Sequence, residues 1–451
     1  MSASAPPRQP RQPIDTRQRV YEVLTGEDQG RVCKDIPDSA CLEQPRNFLT
    51  HVLSLAATKT ADGLADPKLV LAWLLGAVGA PAFMTGLLVP IREAGALLPQ
   101  LVIAASIRSM PIRKWVWTIG SIAQGAAAIG IGLAASLLDG AAAGWAILCL
   151  LLVLALARSA CSIAHKDVLG KTVSKSTRGT VTGTAGTVSA ALLLGFGVLL
   201  GTGLLERSVG AIAIALGVAG LLWIGAGLLF ASLAEAPGAT EGGGNPLAVA
   251  LAQFGLLRSD PQLARFVAIR CLLLATTLAP PFLVAMEGRS TGIQAVGLGA
   301  FVIASALAAI SSSYVWGRLA DISSRRVIIV AGLLGAAALL ASAAIGAGAG
   351  EPVGLSVASP LALPALVFAL SIAEQGIRLG RTTHVVDMAD PARRGAYTAL
   401  SNTITGLLTL GAGAFGLLAQ SAGEIVLLLL FAAMAGLAVW LALGLEEVQR
   451  D

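Results

Sequence analysis

The chain has 451 residues, 55% of them hydrophobic and only 13% charged. A soluble domain carries about 25% charge, and no soluble core buries so many separate apolar runs of about 20 residues; a water-soluble enzyme or binding module is excluded. The net charge of +5 is not a nucleic-acid footprint, because the lysines and arginines cluster in alternate loops between those runs. The composition describes an all-α, polytopic membrane protein.

Residues 1–15 (MSASAPPRQPRQPID) are low in complexity and expected to be disordered. Residues 16–45 are mixed and polar, with room for short helices. Cys33 and Cys41 fall here without the neighbouring Cys or His ligands of a zinc site, and read as plain thiols of a reducing cytosol. The Pro/Arg/Gln-rich start does not have the form of a cleavable signal peptide. Over 48–59, after a capping Asn47, the residues Phe48, Leu49, Val52, Leu53 and Leu55 make a rough apolar face. That is either an amphipathic helix on the inner membrane surface or a simple linker.

The first span is read at 69–89, and a short break, Pro90-Ile91-Arg92-Glu93, precedes a second that ends near Ile107. A basic loop from Arg108 to Lys114 leads to spans at 115–138 and 144–163. A polar loop, 164–178, precedes spans at 179–200 and 209–233. The stretch 234–246 is a Gly-rich linker, and 247–263 reads as an amphipathic surface helix. Six more spans follow at 264–286, 293–315, 327–345, 361–381, 396–419 and 424–445. The domains are therefore a cytoplasmic tail (1–67), a six-helix bundle (68–233), a linker (234–263), a second six-helix bundle (264–445) and a cytoplasmic C-terminus (446–451). Basic residues fall almost wholly on one side: the opposite connections hold only Arg92, Arg207 and Arg289, each near a glutamate. The positive-inside rule then puts both termini in the cytoplasm.

The stretch 311–326, SSSYVWGRLADISSRR, lies between two spans and contains Gly317, Arg318, Asp321, Arg325 and Arg326. It resembles the signature loop of the major facilitator superfamily of transporters, a G-x-L-A-D-x-x-x-R-R pattern joining the second and third helices of a six-helix half. The resemblance implies a fold of twelve transmembrane helices in two pseudo-symmetric bundles. An internal repeat agrees with it. His165-Lys-Asp167 with Arg178-Gly179 in one half answers His384-Val-Val-Asp387 with Arg394-Gly395 in the other, and Arg178 and Arg394 lie 216 residues apart. Arg113-Lys114 and Arg325-Arg326 are likewise 212 apart. The first-half loop lacks the Gly and Asp that the family usually has, so its charge relay is in doubt and the second-half copy is the expected gate. Asp167 and Asp387 are expected to pair with basic loop residues.

Ionisable groups inside spans are costly and are functional candidates. Glu374 and Arg378, four apart, can share a helix face. Adding 216 to Arg158 gives 374, so Arg158 and Glu374 are pseudo-symmetric. These three either line the central cavity or snorkel toward the cytoplasmic ends. Arg92 and Glu93 sit at the outer turn, where Glu93 either receives a driving proton or closes a surface salt bridge with Arg92. Gln100, Gln124 and Asn402 hydrogen-bond either a solute or a neighbouring helix. The three histidines, His51, His165 and His384, lack metal-ligand spacing, and no phosphate-binding loop is present.

The function expected is secondary active transport by alternating access, of a small and amphiphilic solute, coupled to protons, with export or antiport favoured. The alternatives are a transporter-like sensor or assembly factor without flux, and an integral-membrane enzyme, against which the missing catalytic cluster argues. The expected partners are the lipid bilayer of a cell inner membrane, a small-molecule substrate and protons, with no nucleic acid and no cofactor, for a chain acting as a monomer.

Overall fold

The computed structural model describes residues 16–25, 43–99, 103, 107, 109–205, 208–238, 253–291, 297–348, 361–389 and 394–449. Cys33, Cys41, Gln100, Arg207 and the stretch 1–15 lie outside the described residues, as do the side chains of Arg289, Asp321 and Arg394.

Among the described residues every regular element is a helix. A short α1 (Thr16–Thr25) precedes the first half. That half comprises α2 (Gln44–Leu64), α3 (Val70–Ala77), α4 (Thr85–Leu97), α5 (Lys114–Leu137), α6 (Gly140–Thr172), α7 (Lys175–Gly201) and α8 (Val209–Ala231). One turn, α9 (Leu256–Ser259), leads into the second half. There follow α10 (Pro261–Leu272), α11 (Leu274–Leu278), α12 (Pro280–Thr291), α13 (Gly297–Ile322), α14 (Ser324–Gly348), α15 (Ala362–Asp387), α16 (Arg394–Gly411), α17 (Ala414–Ala422) and α18 (Glu424–Ala442).

The two halves repeat one packing scheme. In the first, α5 lies against α6 and α8, and α2 against α7 and α8. In the second, α14 lies against α15 and α18, and α10 against α16 and α18. The halves meet where α7 crosses α13, where α4 crosses α16 and α17, and where α3 touches α12. Nine of the described helical segments are long and apolar enough to cross a membrane. Large apolar side chains such as Ile119, Ile214 and Leu228 stand exposed on the outer girdle, the pattern of a surface solvated by lipid rather than water.

The first pass corrects the sequence reading. Residues 48–59 do not lie on a membrane surface: α2 packs into the bundle with Phe48, Asn47, His51 and Ser54 fully buried. Gln44 at its start donates to the Tyr21 hydroxyl of α1 (2.8 Å) and to Ser174 Oγ (2.9 Å). The pass breaks after Leu64. There the Asp66 carboxylate accepts from the backbone N–H of Lys68 (2.8 Å) and Leu69 (2.9 Å), an Asx-type cap that restarts the helix as α3. The chain then turns at Gly79, whose φ of 72° suits a residue without Cβ. Pro90, Arg92 and Glu93 are consequently inside α4 and not at an outer turn.

Three loops in the sequence reading are also helix. Residues 164–172 extend α6, 382–387 extend α15, and in 311–326 only Ser323 interrupts the run from α13 into α14. The surface helix expected at 247–263 is reduced, over its described part, to a 3-10 turn at Gln253–Gly255 and the single turn of α9. Asp260 ends that segment by capping α10, accepting from the N–H groups of Gln262 (2.9 Å) and Leu263 (3.0 Å), with Pro261 at the first helical position.

Candidate functional site

A cavity of about 560 Å³ lies between the halves. The break after α2 puts Lys59, Asp62, Asp66 and Lys68 on its wall. α4 adds Arg92 and Glu93, α6 adds Arg158, and α15 adds Glu374, Gln375 and Arg378. An adjoining lobe is lined by Glu93, Glu374, Arg378, Arg381 and Thr405. The cavity is more charged than the expected amphiphilic solute implied: Lys59, Asp62 and Asp66 on its wall fall in the stretch assigned to the tail, and Lys68 at its boundary.

Most of the acids are engaged. Asp62 holds two arginines, Arg92 (2.7 Å) and Arg158, one on each carboxylate oxygen. Lys68 donates to Glu374. That pair joins the first half to the second through the middle of the cavity. Arg378 donates to the Gln375 side chain and not to Glu374 four residues before it. Lys59 donates to the Thr182 carbonyl of α7 (3.1 Å).

At the end of the cavity remote from the basic loops the halves are sealed by small residues. Gly86 of α4 meets the backbone of Gly416 of α17, and Gly299 of α13 meets that of Gly201 of α7, so closely that a Cβ on either Gly86 or Gly299 would collide. No side chain separates these helices, a contact that depends on glycine. Gly197 packs on Ile303 in the same region.

The remaining candidates divide. Gln124 is buried, donating to the Gly120 carbonyl (3.3 Å) with its Oε1 unpartnered. It faces a small side pocket with Trp117, Cys161 and His165 that shares Lys59 and Arg158 with the main cavity. Asn402 is a helix–helix partner: it and Ser401 accept from Arg270 of α10, each at 2.7 Å. His51 and His165, far apart in sequence, come together with ring centroids 5.5 Å apart. Among the described residues no cluster of three or more His, Cys, Asp or Glu could hold a metal.

The basic loops are anchored differently in the two halves. Arg113 pairs with Asp167 (2.9 Å). The Glu235 carboxylate caps α5 by accepting from the N–H groups of Arg113 (3.0 Å) and Lys114 (2.7 Å), and it also binds Lys171 (2.8 Å). Glu235 supplies an acid that the loop's own sequence does not carry. Arg178 donates to the Val173 and Gly170 carbonyls and so caps α6. In the second half Arg325 donates to the Ala442 and Leu443 carbonyls at the end of α18. Asp387 accepts from Gln449 (2.8 Å), where a basic loop residue was expected. Gly317 is half-buried, and Arg318 and Arg326 are exposed.

Sequence reasoning missed Lys59, Asp62, Asp66, Lys68, Arg270, Arg381 and Glu235. The available signal was the run from Arg46 to Asp62, which has neither Pro nor Gly to stop a helix.

No family model and no curated protein sequence matches the chain. Solved structures do. The nucleoside transporter NupG is 13% identical with a TM-score of 0.64, over 88% of this chain and 98% of that one. A POT family transporter in complex with 5-aminolevulinic acid is 10% identical with a TM-score of 0.69, over 92% and 98%. The xylose transporter XylE from E. coli, in an inward-open conformation, is 11% identical with a TM-score of 0.61, over 89% and 97%. The chain has the major facilitator fold, two pseudo-symmetric bundles around a central cavity.

Proposed function

We propose that the chain is a secondary active transporter, carrying a small polar solute by alternating access in exchange for protons. The observation that carries this reading is the Lys68–Glu374 pair. It is a breakable charge contact between the halves, inside a cavity whose far end is closed by bare backbone. Protonating Glu374 would release Lys68 and loosen the halves, coupling a proton to the rocking motion. A volume of about 560 Å³ suits a small molecule. That three proteins of this fold are named as transporters of different solutes supports transport without naming the cargo.

The same proposal sets the chain as a monomer in a cell inner membrane with both termini cytoplasmic. The redrawn first pass favours that orientation, since the turns at 78–81 and 138–139 carry only one charge, Asp139, while Arg113, Lys114, Lys171 and Arg325 gather at the opposite face.

The test is reconstitution into vesicles with an imposed pH gradient, challenged with a panel of small polar solutes. The expected result is that at least one solute dissipates the gradient through the wild type and not through Glu374→Gln. A protein that binds a solute yet passes none would support the sensor reading instead.

A further inference from the structure

We infer that the solute is a small organic anion, bearing a carboxylate or phosphate, held between Lys59 of the first half and Arg378 of the second. The inference rests on the transport reading and adds a substrate class to it.

The cavity and its adjoining lobe carry six basic side chains, Lys59, Lys68, Arg92, Arg158, Arg378 and Arg381. Against them stand four acids, Asp62, Asp66, Glu93 and Glu374. The acids are unevenly spent. Asp62 is shared by two arginines, Glu374 is taken by Lys68, and Asp66 is turned into its own backbone. Three cations make no ion pair among the described residues, although Asp62 lies within electrostatic reach of Lys59, and Glu93 and Glu374 of Arg381. Lys59 reaches only a carbonyl, Arg378 only a neutral amide, and Arg381 lines its lobe without a hydrogen bond of its own. Glu93 also lacks a hydrogen-bond partner, but it is one carboxylate against three.

Charge of one sign inside a membrane is expensive unless a counter-charge arrives. Lys59 and Arg378 stand on opposite halves and feel one another's positive charge across the cleft. In the empty cavity they push the halves apart. An anion between them replaces that repulsion with two charge-assisted contacts. It therefore binds a closed arrangement better than an open one, which is the differential affinity an alternating-access cycle needs. Glu93 is placed to accept from a hydroxyl or ammonium on the same solute, so an anion carrying a donor fits better than a bare one.

The experiment uses the full chain in nanodiscs of phosphatidylcholine. Its thermal unfolding is followed with succinate, glycerol 3-phosphate, inorganic phosphate, neutral glycerol and cationic putrescine. At least one organic anion should raise the midpoint, and glycerol and putrescine should not. Lys59→Gln and Arg378→Gln should each weaken that anion's apparent affinity by about tenfold, the equivalent of one lost charge-assisted contact. Lys59→Arg should retain it. Unliganded melts of the variants separate lost binding from lost folding. Stabilisation by putrescine or glycerol alone, or an anion effect unchanged in both Gln variants, would overturn the inference. So would inorganic phosphate matching every organic anion. If phosphatidylglycerol discs abolish the response and Lys59→Gln restores it, the site belongs to a lipid headgroup and the solute assignment fails. Vesicle flux separates the two layers of the argument. Anion binding without flux would keep this site and remove transport; flux of a neutral solute would keep transport and remove this site.

Discussion

Lys68 and Glu374 lie 306 residues apart in the chain, on opposite halves, and their side chains form an ion pair in the centre of the molecule. Only 16% and 30% of their side-chain surfaces remain exposed. The contact is thus dry enough to hold the halves and open enough for water or a proton to reach it.

Removing one partner leaves the other charge stranded. Lys68→Gln and Glu374→Gln should each lower the unfolding midpoint in detergent, and the double variant should recover part of the loss. The coupling expected from the cycle is about 0.5–3 kcal/mol, toward the lower end because both groups are partly hydrated. Strict additivity would show that the pair does not form in the membrane protein.

Asp62 is a heavier anchor, because one carboxylate holds both Arg92 and Arg158. Asp62→Asn should destabilise by about 3–5 kcal/mol, the range for breaking a buried charge cluster on one side. Asp62→Glu should keep most of the stability. Chemical or thermal unfolding reads the difference; an Asn variant as stable as the wild type would show that the arginines find other partners.

The glycine seal makes a conformational prediction. Gly86→Val and Gly299→Val introduce atoms where only backbone fits, so this arrangement of the halves should become disfavoured. Spin labels at Leu137 and Ala422, at the sealed ends of the two halves, should move farther apart in both variants. An unchanged distance would mean that the helices absorb the added side chain by local shifts.

Glu235 is buried and caps α5 from the segment that follows α8. Glu235→Gln should cost about 1–3 kcal/mol, the penalty for leaving buried donors poorly matched. Amide exchange should accelerate at residues 113–116, with α14 unaffected. Exchange rising equally in both halves would indicate general loosening rather than the loss of a cap.

The architecture was largely legible in sequence, and the reason is physical. Lipid-facing helices must be apolar almost all round, so the passes from α5 onward announce themselves. The repeat offset linked Arg158 to Glu374, and both side chains line the cavity between the halves. The first pass was not legible for the converse reason. Lys59, Asp62, Asp66 and Lys68 face a polar cavity, and their charges depress the hydropathy of the helix that carries them. A window tuned to lipid contact therefore began at Leu69 and left the site in the tail. Arg270 escaped for a related reason: its partners Ser401 and Asn402 lie 131 and 132 residues away, and no local pattern reveals that pairing.

The interrupted first pass also has a consequence in time. Each charge near the middle of a membrane helix opposes its insertion by about 2.5–3.5 kcal/mol, and this pass carries four, Lys59, Asp62, Asp66 and Lys68. Two of them, Asp62 and Lys68, are offset by Arg92, Arg158 and Glu374, all synthesised later than this pass, the last 306 residues beyond Lys68. Insertion of this pass is therefore expected to be completed only after its later partners are made. A segment made early is then held in place by contacts that only a later part of the chain supplies.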